Sequence, residues 1–186
     1  MFCKRLELTR LDLGPAQNHI IHIFDPQTSQ LNFLKILHIE DLNLSSKAMR
    51  RIVRNLRKMR ALNELHLVNL EALEPLMDTL AESIQKHKEL KVLNLRQTTL
   101  RTRDVSALVP LLAQNHVLTD LDISNSTISK KNMMHLWMAL HVNISVCNLV
   151  YTRTNFLSIK EMVAIDHELD LNLKIKDSIS PKVLEY

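Results

Sequence analysis

The chain has 186 residues, about the length of one ordinary domain, and is 46% hydrophobic, enough for a sizeable core. Its net charge of +4 is too mild to imply nucleic acid by itself. The single glycine, Gly14, excludes a glycine-rich phosphate loop, which needs backbone without Cβ.

The only cysteines, Cys3 and Cys147, lie far apart with no CxxC, which argues against a disulfide framework or a cysteine zinc site. The start, MFCKRLELTRLDLG, has no apolar run suited to a signal peptide, and no stretch approaches the 18 or more apolar residues of a membrane span. An intracellular, cytoplasmic location is expected, with cytoskeletal, ciliary or mitochondrial assembly as settings. Asn43, Asn125 and Asn143 in N-x-S/T sequons are then chance matches.

In chain order, residues 6–13 (LELTRLDL) read as a strand two positions out of phase with the later segments, and 15–24 as a short helix ended by Asp25-Pro26. Residues 1–33 are therefore expected to be an N-terminal capping unit. From residue 34 a period of 28 takes over. Leu34, Leu62, Leu90, Leu118 and Val146 share one phase; Leu37, Leu65, Leu93, Leu121 and Leu149 follow three positions later; Ile39, Leu67, Leu95, Ile123 and Tyr151 follow two later still. All fifteen are apolar, so a strand with alternating faces is expected in each unit. Helical spacing then sets in: Met49, Ile52, Val53, Leu56 and Met59; Leu76, Met77, Leu80 and Ile84; Val105, Leu108, Val109 and Leu112; Met133, Leu136, Trp137 and Leu140. Ser46, Thr102 and Ser158 share a register position suited to N-caps, and Pro75 falls in a first turn. Pro110 inside the helix 103–114 predicts a kink or a late start. Residues 34–168 read as five repeats, starting at 34, 62, 90, 118 and 146. Residues 169–186 read as a C-terminal cap and tail, with ELDLNLKI (168–175) as a last strand.

The unit LxxLxLxx(N/C/T)xL followed by a helix resembles the ribonuclease-inhibitor-like class of leucine-rich repeats across residues 34–168. The resemblance implies an α/β fold: a right-handed solenoid with a parallel sheet on the concave side and helices on the convex side. At the position where the family places Asn, Cys or Thr, Thr98, Ser126 and Thr154 fit while Leu42 and Leu70 depart, so the first two turns are expected to be irregular. The class includes inhibitors, GTPase-activating proteins, innate-immune sensor domains, actin-filament regulators and assembly subunits. It implies partner binding on the concave face; a small chain with almost no linker also suits one or more protein partners within a larger complex, and no cofactor is expected.

Equivalent strand positions stack at about 4.8 Å and form ladders. One is His38, His66, Asn94, Asp122 and Val150; a second is Glu40, Val68, Arg96, Ser124 and Thr152; a third is Asp41, Asn69, Gln97, Asn125 and Arg153. Their polar members other than Ser124 and Thr152 are the candidate partner-binding residues, with central Arg96 the leading one. His38 beside His66 is a weak metal signal with no fixed carboxylate, and Asp120 with Asp122 a weak acid/base pair on a flat sheet. No Ser-His-Asp or Cys-His set sits in a recognisable motif, so no enzyme is expected.

Lys47, Arg50, Arg51, Arg54, Arg57 and Lys58 fall within about a 120° arc of the helix 47–60. They are either a docking stripe for an acidic partner or an internal match to Glu71, Glu74, Asp78 and Glu82 on the next helix, with Arg50 beside Asp78 and Arg54 beside Glu82. Interleaved aromatics are missing, which makes nucleic acid the weaker alternative.

Overall fold

The computed structural model describes residues 5–9, 24, 29–85, 87–152 and 158–179. The strands among the described residues are β1 (Arg5–Thr9), β2 (Ile36–Glu40), β3 (Glu64–Val68), β4 (Val92–Asn94), β5 (Thr99–Leu100), β6 (Asp120–Asp122), β7 (Thr127–Ile128) and β8 (Asn148–Val150). The α-helices are α1 (Ser46–Leu56), α2 (Met77–Ile84), α3 (Thr102–Gln114), α4 (Lys130–Val142) and α5 (Ile159–Ile179). Six strands form one parallel sheet in the order β1-β2-β3-β4-β6-β8, and β5 and β7 form a second, two-stranded one. A parallel pair needs a crossover, and the helix or turn between successive strands supplies it.

From β2 to β8 the strands pair with a constant offset of 28: Leu37 with Leu65, Leu65 with Leu93, Leu93 with Leu121, Leu121 with Leu149. Fourteen of the fifteen periodic apolar residues are buried, and Tyr151 is half-buried. The helix faces read from the sequence meet them in one continuous core. Hydrophobic burial of these two sets holds strand to helix, and each unit leans on its neighbours.

Several elements differ from expectation. β1 joins the sheet with Leu6 opposite Leu37, an offset of 31, so the first strand is three positions out of phase and not two. Residues 10–23 and Asp25-Pro26 lie outside the described residues; Phe24 is fully buried. The last strand expected at 168–175 is helix, because α5 runs unbroken from Ile159 to Ile179. The alternating leucines misled because one residue that faces inward is polar. Met162, Ile165, Leu169 and Asn172 lie at helical spacing, Ile165 and Asn172 buried and the other two half-buried.

Ser46 and Thr102 are the first residues of their helices; the caps sit one position earlier. Ser45 Oγ accepts from the Ala48 N–H, and Asp104 accepts from the Arg101 N–H. Ser158 does cap α5, exchanging hydrogen bonds with Glu161. A 3-10 turn over Glu71–Leu76 contains Pro75 and delays α2 to Met77. α3 starts in register and passes through exposed Pro110 without interruption.

The first two strand-to-helix turns depart from the later ones, as Leu42 and Leu70 imply. Both leucines are buried. In the third and fourth turns Ser126 Oγ donates to the Leu95 carbonyl and accepts from the Thr98 N–H, beside the β5–β7 pair.

Candidate functional site

The side of the sheet away from the core carries the candidate residues, and the structure divides them into three groups. The first is a network on β2 and β3. The His38 and His66 rings lie 5.1 Å apart, tilted by 37°. His38 Nε2 is 3.0 Å from Glu40 Oε2, and His66 Nε2 is 3.3 Å from Glu64 Oε2. Glu40 Oε1 accepts from Arg96 Nη2 at 2.8 Å. Glu40 and Arg96 stand two units apart, and Val68 occupies the same position in the unit between them. Val68 was expected on the exposed ladder; it is fully buried.

The second group ends strands. Asn94 Oδ1 accepts from the Arg96 N–H, and Asp122 Oδ1 from the Ser124 N–H, at 3.0 and 2.8 Å. A short side chain that captures the backbone N–H two residues on turns the chain out of the ladder. β4 and β6 accordingly stop after three residues, whereas β2 and β3, with histidines at this position, run for five.

The third group was expected in strands and lies in turns. Asp41, Asn69, Gln97 and Asn125 have φ between 50° and 59°, the left-handed region, where Asp and Asn are tolerated better than other non-glycine residues. This is how the chain makes the same left-handed step after four strands without glycine there. The N–H groups of Asp41, Asn69 and Gln97 donate to the carbonyls of Val68, Arg96 and Ser124. In the fourth turn Thr152 Oγ1 takes the carbonyl's place and accepts from the Asn125 N–H. Asn69 Nδ2 also donates to Asp41 Oδ1 at 2.7 Å. These residues, with Asn43, Ser46 and Glu71, border a cleft of about 670 Å³ beside the first two turns. Arg153 lies outside the described residues.

Sequence reasoning missed Glu64 and a second polar ladder at the opposite ends of the units. His87, Asn115 and Asn143 are spaced by 28 and all buried. His87 Nε2 lies 2.9 Å from the Leu56 carbonyl. Asn115 Oδ1 accepts from Val117 and Leu118, and Asn143 Oδ1 from Ser145 and Val146. Asn143 Nδ2 donates to the carbonyls of Leu112 and Asn115, and Asn172 Nδ2 to those of Asn143 and Val146. These bonds satisfy carbonyls at the helix ends and the N–H groups that lead into the next strand, which would otherwise lack partners. The 28-residue spacing was the available signal.

Burial pushes the His87 imidazole below its ordinary pKa, against the opposing effect of the Leu56 carbonyl. Burial likewise raises the Asp104 carboxyl, opposed by the Arg101 N–H. Glu161 is lowered to about 2 by hydrogen bonds from the Ser158 N–H and hydroxyl and from Lys130.

The internal match expected for the basic helix does not form as the register suggested. Asp78 is held by Arg103 at 2.6 Å and Glu74 by Arg101 at 2.9 Å, both from the start of α3. Asp78 and Arg103 are each the second residue of their helix, so the late start of α2 matches the acid to the following helix instead of to Arg50. Lys47, Arg50, Arg54, Arg57 and Lys58 are exposed and Arg51 is half-buried. Among the described residues, no group of three or more His, Cys, Asp or Glu is arranged to hold a metal ion, and no helix is long and apolar enough to cross a membrane.

No protein-family model matches the chain, and no curated protein matches it in sequence. Solved structures do. The actin-binding site 2 domain of leiomodin-1 superposes with a TM-score of 0.66 at 17% identity, over 91% of this chain and 94% of that one. The tropomodulin C-terminal domain of Caenorhabditis elegans superposes with a TM-score of 0.65 at 16% identity, over 87% and 96%. At these identities the similarity is one of fold: a parallel sheet with helices, shared over nearly the whole length of both domains.

Proposed function

We infer that the chain is a non-enzymatic protein-binding module that recognises a folded partner through the polar face of its sheet and the adjoining turns. One observation carries this reading. The inward side of the strands packs with the helices in a single core, and the opposite side of the sheet from β2 to β6 presents a ladder made mostly of polar groups. That ladder mixes His38, Glu40, His66, Asn94, Arg96 and Asp122, so it offers both signs of charge. Such a surface suits another folded protein better than a polyphosphate, which calls for a single-sign field.

The 28-residue offset and the strand–helix alternation support placing the fold in the ribonuclease-inhibitor-like class, as a right-handed solenoid with this face concave. In that assignment residues 1–33 form the first cap, 34–168 five repeats, and 169–186 the closing cap. Actin is the first partner to test, because the leiomodin-1 domain of the same fold is an actin-binding site. A cytoskeletal, intracellular setting accompanies that reading. Affinity purification of the full chain from its native source, with cosedimentation on filamentous actin, tests it. The expected result is a protein partner whose capture is lost on Arg96→Ala with Gln97→Ala in a folded variant. Capture unaffected by that pair overturns the sheet-face assignment.

A permanent structural subunit of a large complex is the second reading. It predicts co-purification in fixed stoichiometry that survives high salt and dilution.

A further inference from the structure

Charge is segregated along this chain in a way the sheet face does not use. Residues 45–61 hold seven of its 24 Lys and Arg and none of its 20 Asp and Glu. In and just after α1, Lys47, Arg50, Arg54, Arg57 and Lys58 are exposed, opposite buried Met49, Ile52, Val53 and Leu56. Of the acids in register with this row, Asp78 is engaged by Arg103 and Glu74 by Arg101 from the start of α3, and Glu82 is exposed.

This face runs against the helix's own electrostatics. Arg50 with Arg54, and Arg54 with Lys58, are like charges at i,i+4, a repulsive spacing. Lys47 stands in the first turn, where the helix dipole disfavours a cation and where no acid offsets it. The apolar side keeps the helix folded in spite of this. At the C-terminal end the cation row reaches a second cleft of about 670 Å³, lined by three cations, Arg57, Arg60 and Lys88, against two carboxylates, Glu82 and Glu89, along with Ser83 and His87.

We propose that the basic face of α1 docks an acidic segment of a protein partner, with carboxylates spaced about one helical turn apart and one end seated in the Arg57–Lys88 cleft. Cations three and four residues apart lie about 5–6 Å from one another, which matches Glu side chains at i,i+4 on a partner helix. Five of the seven cations are arginine, whose planar fork pairs with carboxylates in a bidentate manner. No large apolar side chain is exposed among them to enter a bilayer. No aromatic is interleaved to stack on bases. This surface is separate from the sheet face, and the two assignments stand or fall independently.

The test uses the full chain and three probes: a fluorescein-labelled 18-residue helical peptide with glutamates at i,i+4, a mixed-sequence single-stranded RNA, and phosphatidylcholine vesicles containing phosphatidylserine. The peptide should bind tightest. Arg50→Glu with Arg54→Glu should weaken it at least tenfold while the melting temperature stays near wild type. Arg50→Gln with Arg54→Gln should weaken it by a smaller factor. Lys91→Glu with Lys131→Glu makes the same net charge change elsewhere and should leave peptide binding within twofold. Tighter binding of the RNA or the vesicles overturns the proposal. So does peptide binding unaffected by the Arg50 and Arg54 variants, or weakened equally by the control pair.

Discussion

The Arg96 guanidinium reaches across a whole unit to meet the Glu40 carboxylate at 2.8 Å, and Val68, at the same position in the unit between them, is fully buried. Glu40 is mostly buried and Arg96 partly exposed, so the charge pair itself contributes at most about 1 kcal/mol. The larger effect is expected to be cover of Val68 by the aliphatic stem of the arginine. Arg96→Ala should lower stability by about 1–2 kcal/mol through exposure of Val68 and loss of the pair. Arg96→Met, which keeps a long apolar stem, should recover most of that. Urea midpoints of the two variants separate cover from charge; equal losses would assign the effect to charge alone.

Leu93 is fully buried at the centre of the stack and pairs with Leu65 and Leu121. Leu93→Ala should cost about 2–5 kcal/mol from lost transfer energy and the cavity left behind. Units support one another only as neighbours, so hydrogen exchange should accelerate in β3, β4 and β6 before it does in β1. An unchanged denaturation midpoint would show that the stack does not depend on this residue.

The lowered pKa of His87 makes folding stability sensitive to mild acid. The neutral imidazole is favoured in the folded protein, so the unfolded chain takes up the proton first. Stability is fully present above the ordinary histidine value of about 6.5 and falls as pH drops below it, until the folded-state pKa is passed. His87→Asn places here the residue found at 115 and 143 and should flatten the melting temperature between pH 7.5 and 5. At lower pH the cap of α5 contributes a second step. The Glu161 pKa of about 2 means that this stabilisation is present above the ordinary carboxylate range and is lost as pH falls toward 2. An NMR titration of the histidine and carboxyl signals reads both steps.

Gln97 holds a φ of 59° without the local hydrogen bonding that lets Asp and Asn occupy such turns. Gln97→Gly should be neutral or stabilising by up to about 1 kcal/mol, since relief of the left-handed penalty offsets the added freedom of the unfolded chain. Gln97→Val should be destabilising by about 1–3 kcal/mol. Thermal denaturation checks both signs.

What could be read from the sequence was what hydrophobicity alone decides. Leu65, Leu93 and Leu121 announced the sheet by their spacing, and Ile52, Leu80, Leu108 and Leu136 announced the helices. The errors arose where a polar group does structural work. Asn172 faces inward on α5, so a count of apolar residues found alternation at 168–175 and read a strand. Asp41, Asn69, Gln97 and Asn125 looked like exposed strand positions because a left-handed backbone leaves no mark in hydropathy. Asp78 looked like the partner of Arg50 because register gives lateral order and not the point at which each helix begins. The sheet-face ladder was legible as an array, yet its internal pairing of Glu40 with Arg96 depends on side-chain reach across two units, which spacing does not report.

Asn172 comes 29 residues after Asn143 and takes up the same task, donating to the carbonyls of Asn143 and Val146. It does so from the middle of a 21-residue helix, not from a turn that leads into another strand. At this end of the sheet Asn172 thus stands where a further unit would place its asparagine. A duplicated unit spliced into the interior would inherit matching partners on both sides. The same unit inserted directly after β8 would first have to displace α5 and the two hydrogen bonds that Asn172 makes from it.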